Sequence, residues 1–142
     1  MGQTLKTISY KIGYEDVQNI LQQPFSFVII TTLNDQKCIL PNTISISEEE
    51  RKINEMIQSS KYKPILIYGE NCNDDRVFTK REQLIALGFH TVYIYVGGMF
   101  EWLLLQDIYG DEYFRTIGKE KDILKYKPAK QFHQIEMKMI EN

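Results

Sequence analysis

The feature that most narrows the fold is the alternation of short β-branched apolar runs with stretches of helical periodicity. The runs are residues 25–31 (Phe-Ser-Phe-Val-Ile-Ile-Thr), 64–68 (Pro-Ile-Leu-Ile-Tyr) and 91–96 (Thr-Val-Tyr-Ile-Tyr-Val). Continuous apolar runs of that length, bounded by turn residues, read as strands buried on both faces. Between them fall four helical stretches. The first covers 14–22, entered through Gly13 and stopped by Pro24. The second runs from Ser47 to about Ser59, with Ile53, Met56 and Ile57 on one face and Ser47 and Glu50 at capping-box spacing. The third covers 76–87, ended by Gly88 in a left-handed cap with Phe89 packing back on it. The fourth comes after Gly97-Gly98 and carries Met99, Phe100, Trp102, Leu103 and Leu105. Short strands are also expected at 7–10 and 43–45. Strands joined to helices by short loops imply βαβ crossovers, hence an α/β fold with a mainly parallel sheet flanked by helices.

The 142 residues suffice for one domain with a sizeable core. A net charge of -2 without a long basic run removes the electrostatic footprint of general nucleic-acid binding. The Lys-Tyr-Lys triplets at 61–63 and 125–127 then read as solvated faces. Cys38 and Cys72, the only cysteines, are too far apart for a CxxC pair, and His90 and His133 share no ligand spacing with them. Neither a metal nor a cofactor is expected. The first residues lack the apolar run of a signal peptide, and Lys6 stands where a myristoylation pattern has Ser or Thr. The apolar run 102–105 is far too short to span a bilayer. These features give the expectation of a soluble intracellular protein in a reducing compartment, cytoplasmic or assembly-associated, without membrane insertion.

The strand at 64–68 leads into Gly69, Glu70, Asn71, Cys72, Asn73, Asp74, Asp75 and Arg76. A strand feeding a tight loop that opens a helix is where an α/β domain holds an anion. A thiol with an arginine suits that chemistry, because a positive partner stabilises thiolate or anionic sulfur. Glu70, Asp74 and Asp75 oppose it, because like charge raises a thiol pKa and repels an anionic donor. Arg76 has two readings: ligand of an anion, or first-turn helix residue paired with Asp74 or Asp75. Asn71 and Asn73 suit a turn with left-handed backbone. Cys38 reads as a small, half-buried residue at a strand start, and Met99, Phe100 and Trp102 as core or interface apolars.

In this order the pieces resemble a rhodanese-like (sulfurtransferase) domain, from about Ile8 to Phe114. Ile8-Ser9-Tyr10 with Glu15-Asp16-Val17 resembles the opening strand and helix, and Phe27-Val28-Ile29-Ile30 the strand before the family's Asp-x-Arg. Leu40-Pro41-Asn42-Thr43-Ile44-Ser45-Ile46 resembles the family's His-Ile-Pro-Gly-Ala-Ile-Asn-Ile segment. Leu87-Gly88-Phe89, Val92-Tyr93, Gly97-Gly98 and Glu101-Trp102 together are the most specific match. The resemblance implies a three-layer α/β domain. In active members it also implies a cysteine directly after the strand, cradled by loop amides and closed by an arginine. Here that position is Gly69, and Cys72 lies three residues further on. Thr31-Thr32-Leu33 replaces Asp-x-Arg, and Ile39 replaces the histidine. Cys72 and Arg76 enclose three residues, too few for the phosphate loop of phosphatase relatives.

The expectation is therefore a rhodanese-like domain over 1–118 without sulfurtransferase activity, a structural or protein-interaction subunit of a larger intracellular assembly. Residues 119–142 form a C-terminal extension open to partner docking, supported by apolar surface from Tyr109, Tyr113 and Phe114. The alternative is a divergent thiosulfate-type sulfurtransferase that forms a persulfide on Cys72, with Arg76 and loop amides holding the donor. A third class, an anion-sensing domain, is disfavoured by the acidic loop.

Overall fold

A computed structural model of the chain describes residues 9–23 and 25–132. The expected strand residues Thr7 and Ile8, the helix stop at Pro24 and the apolar tail positions Ile135, Met137, Met139 and Ile140 lie outside the described residues. The elements run β1 (Lys11–Ile12), α1 (Tyr14–Leu21), β2 (Val28–Thr31), α2 (Ile46–Ser59), β3 (Ile65–Tyr68), α3 (Arg76–Ala86), β4 (Val92–Tyr95) and α4 (Gly98–Tyr109), then a 3₁₀ turn at Ile123–Tyr126. The sheet order is β1-β4-β3-β2 with every pairing parallel, so each connection between successive strands passes through a helix.

Period-two alternation in the strands divides the core between two helix layers. Ile29, Leu66, Tyr68 and Tyr95 face Val17 and Ile20 of α1 and Met99, Trp102 and Leu103 of α4. Val28, Ile30, Ile65, Ile67, Val92 and Ile94 face Met56 of α2 and Val77 and Leu84 of α3. Both faces are covered, which is why these strands read as unbroken apolar runs. Trp102 is fully buried, makes an edge-on contact with Phe114 at 5.1 Å and donates its indole N–H to the Arg115 carbonyl at 3.0 Å. Phe114 is thus core rather than docking surface; Tyr109 and Tyr113 of the same run are exposed.

Four local expectations are corrected. The first strand starts at Lys11, with the Tyr10 carbonyl accepting from Ile94 N–H at 2.7 Å. Residues 25–27 do not join β2: Phe25 has φ 76 and is 86% exposed, so the turn from α1 ends later than composition suggests. Around Thr43 there is a single bridge to Ile29 in place of a strand. The capping box does not form, because α2 begins at Ile46 and places Ser47 inside its first turn. There Ser47 meets the Ser45 hydroxyl, while Glu48 takes the Arg51 guanidinium at 2.6 Å.

The cap of α3 forms as the sequence suggests. Gly88 has φ 100, and its N–H donates to the Ile85 carbonyl at 3.0 Å. Phe89 N–H donates to Leu84 at 3.2 Å, and both of those side chains are buried together. This is a Schellman closure with its hydrophobic contact.

Beyond α4 the chain stays on the domain. An antiparallel bridge joins Ile39 and Ile117, and the Tyr126 side chain enters the α1–α4 core. Lys125 bridges Asp35 at 3.1 Å and Glu120 at 3.3 Å. The packed structure therefore continues past 118 to at least Tyr126.

Candidate functional site

The loop between β3 and α3 is held against the turn between β4 and α4. Met99 N–H donates to the Gly69 carbonyl at 2.9 Å, and Phe100 N–H to Glu70 at 2.8 Å. Gly98 makes the approach possible. It has φ +66, and a Cβ there would lie 2.7 Å from the Gly69 oxygen and 2.8 Å from the Asn71 nitrogen. Beside it, Tyr95 donates its hydroxyl to Glu101 at 2.7 Å; burial and the adjacent carboxylate push the phenol pKa up.

At the loop's centre sits the Asp74 side chain, 5% exposed. Its Oδ2 accepts from Glu70 N–H at 3.1 Å, Thr32 Oγ1 at 2.9 Å and an Arg76 terminal nitrogen at 2.9 Å. Its Oδ1 accepts from Arg76 N–H at 3.1 Å and Arg76 Nε at 2.9 Å. Burial acts to raise this carboxyl's pKa, but the Arg76 fork, the Glu70 amide and the Thr32 hydroxyl outweigh it and hold it below the usual carboxylate range. Gly69 is required by the same arrangement: a Cβ there would collide with the Asp74 Oδ2 and lie 2.7 Å from Thr32 Oγ1. The position directly after the strand is thus side-chain-free because a carboxylate fills the adjoining space.

Arg76 is the helix-start residue paired with Asp74, the second of its two readings. Its remaining fork nitrogen reaches Asn34 Oδ1 at 2.9 Å, and Glu70 lies 3.8 Å away. Asp75 is exposed and is the residue before α3. Asn71 and Asn73 do not adopt left-handed backbone. Asn71 works through its side chain: Oδ1 accepts from Asn73 N–H at 2.8 Å, and Nδ2 donates to the Tyr126 carbonyl at 2.8 Å. Cys72 is exposed, and its thiol approaches Asn73 Oδ1 at 3.8 Å. The loop amides of Glu70 and Arg76 are thereby spent on Asp74, and that of Asn73 on Asn71, none of them on the Cys72 sulfur.

Thr32 and Asn34 join the site without having been singled out by sequence. They lie just after β2, where the resemblance signals a lost Asp-x-Arg, and that loss is the one pointer to them. A cleft of about 350 Å³ opens at the loop, lined by loop residues that include Asp74 and Arg76, by Asn34, and by Lys127, Ala129 and Gln131. Cys38 is fully buried, deeper than expected, and burial pushes its thiol pKa up. Among the described residues no group of His, Cys, Asp and Glu is arranged to hold a metal, and no helix is long and apolar enough to cross a membrane.

Solved structures share this architecture. A Bacillus halodurans protein superposes with TM-score 0.58 at 19% identity, covering 91% of this chain and 89% of its own. The rhodanese-like domain of an Anabaena protein, solved in solution, gives TM-score 0.58 at 17% identity over 87% and 88%. A Lactobacillus plantarum protein gives 0.56 at 18% identity over 68% and 84%. At those identities the likeness shows the fold alone. No curated protein matches the sequence significantly. The family model of the rhodanese-like domain matches residues 10–105, well over half the chain, and with it the chain belongs to the rhodanese-like domain family.

Proposed function

We propose that this is a rhodanese-like domain without sulfurtransferase activity, serving as a structural or protein-interaction subunit of a larger assembly. The observation that carries the reading is the Asp74 carboxylate inside the loop. It takes five hydrogen bonds from donors that would otherwise face an anionic sulfur species. Sulfur transfer needs a thiolate that attacks the donor and a cradle that stabilises the persulfide formed. Cys72 is a thiol without the cradle, and the cradle holds a carboxylate of its own.

A domain freed from chemistry is retained for what its surface contacts. Ile108, Tyr109 and Tyr113 are 68%, 62% and 64% exposed and supply apolar area that the core does not use. The test is incubation with thiosulfate and cyanide, read as thiocyanate release and as added sulfur on Cys72 by intact mass. The expected result is neither. Turnover that disappears in Cys72→Ser would establish the sulfurtransferase reading instead. For the assembly role, the full chain recovered in native complexes with the 108–113 surface protected supports it, whereas a free monomer in its native extract opposes it.

A further inference from the structure

The segment from 116 to 127 covers a buried thiol that the site does not use. Cys38 is fully buried and its sulfur lies 3.8 Å from the Gly118 carbonyl. Over it the segment is attached by a few polar contacts: the Ile39–Ile117 pair of backbone bonds at 3.0 and 2.7 Å, the Lys125 bridge to Asp35 at 3.1 Å, and the Gln106 side-chain amide donating to Thr116 Oγ1 at 3.2 Å. Lys37 adds a contact to Glu120 at 3.6 Å. The main apolar anchor is Tyr126, 2% exposed, which sits in the same core cluster as Cys38. That anchor carries a defect. The Tyr126 hydroxyl is buried and has no hydrogen-bond partner among the described residues. A buried hydroxyl without a partner loses the water it had in the open state, so it favours opening. The Tyr126 carbonyl meanwhile holds Asn71, which in turn fixes the Asn73 amide in the loop.

We propose that residues 116–127 form a strap that opens as a unit without global unfolding, exposing the Cys38 thiol and releasing Asn71 from its hold on the loop. Local opening of weakly fastened segments is a general property of folded domains. What is specific here is the coupling of one motion to two consequences. While closed, the strap keeps Cys38 inert; while open, it leaves a reactive thiol and a loop with its Asn71 clamp undone. Any reagent that modifies Cys38 in the open state would prevent reclosure, because the fully buried site has no room for an added group.

The test uses the full chain in a Cys72→Ser background, so that Cys38 is the one remaining cysteine. Iodoacetamide labelling is followed by mass, the sulfur displacing iodide, across low urea concentrations. The expected result is labelling with much weaker urea dependence than global unfolding, matched by hydrogen exchange at the Ile39 and Ile117 amides, whose bonds cross from strap to body, and at Asn73. Tyr126→Phe removes the orphan hydroxyl and should slow labelling by about tenfold. Lys125→Met removes the bridge to Asp35 and should speed it by about threefold. Labelling that tracks global unfolding overturns the proposal, as does labelling in Tyr126→Phe as fast as in the parent. If Lys125→Met lowers global stability, exchange at Asn73 relative to core amides still separates strap opening from unfolding.

Discussion

Two adjacent strands end in turns built on different principles. After β4 the chain turns through Gly97 and Gly98, and the backbone itself does the work: a left-handed glycine and two amides given to the neighbouring loop. After β3 the chain turns through residues 69–76, and side chains do the work: Asp74, Arg76, Asn71 and Thr32 tie the loop internally. The first turn requires its glycine, because any Cβ at Gly98 would strike the neighbouring backbone. The second carries Gly69 directly after its strand and closes on the Asp74 carboxylate. A fold constrains residues where backbones approach, and leaves side-chain identity free where polar groups need only be satisfied by something.

The contrast can be broken at either turn. Gly98→Ala should have the largest effect, roughly 3–4 kcal/mol of lost stability in urea denaturation, because it adds both a left-handed non-glycine and a backbone clash. A loss below ~1 kcal/mol would mean that the turn after β4 tolerates a shift its geometry excludes. Asp74→Ala comes next, at roughly 2–3 kcal/mol, since it leaves the Arg76 fork, two amides and the Thr32 hydroxyl short of an acceptor. Gly97→Ala should cost about 1 kcal/mol or less, because its Cβ meets the movable end of Glu101 rather than backbone.

The smallest effect is the pH dependence. The folded-state pKa of Asp74 lies below its unfolded value. Its contribution is therefore fully present above pH ~4 and is lost as the pH falls through the folded value. Asp74→Asn should show a shallower loss of stability on acidification than the parent. An unchanged acid limb would indicate that the carboxylate is not held as described.

The sheet and its helices were legible in sequence because burial on both faces leaves unbroken apolar runs, and Gly88 and Gly98 mark turns by a backbone need that only glycine meets easily. Boundaries were less so. The strand expected at 25–31 is confined to 28–31 because Phe25 belongs to the preceding turn, which composition alone does not reveal. The capping box at Ser47 fails because the N-cap is Ser45, two residues earlier, and a local motif cannot choose between neighbouring serines. At the site, the contradiction between an arginine and three carboxylates was visible, but its resolution was not. Asp74 and Asp75 are adjacent in sequence and chemically alike; tertiary contact with Thr32 and the gap at Gly69 turn one inward and leave the other in water. Likewise nothing in the polar texture after 118 announces that Tyr126 returns to the core.

The central claim is that the loop's anion position is filled by the chain's own carboxylate. Its most direct test is a titration of the wild-type protein with thiosulfate, followed through the amide resonances of Glu70 and Arg76 at constant ionic strength. With both amides already bonded to Asp74, the account predicts that they do not move. Saturable shifts at those two amides would show an open cradle and contradict it.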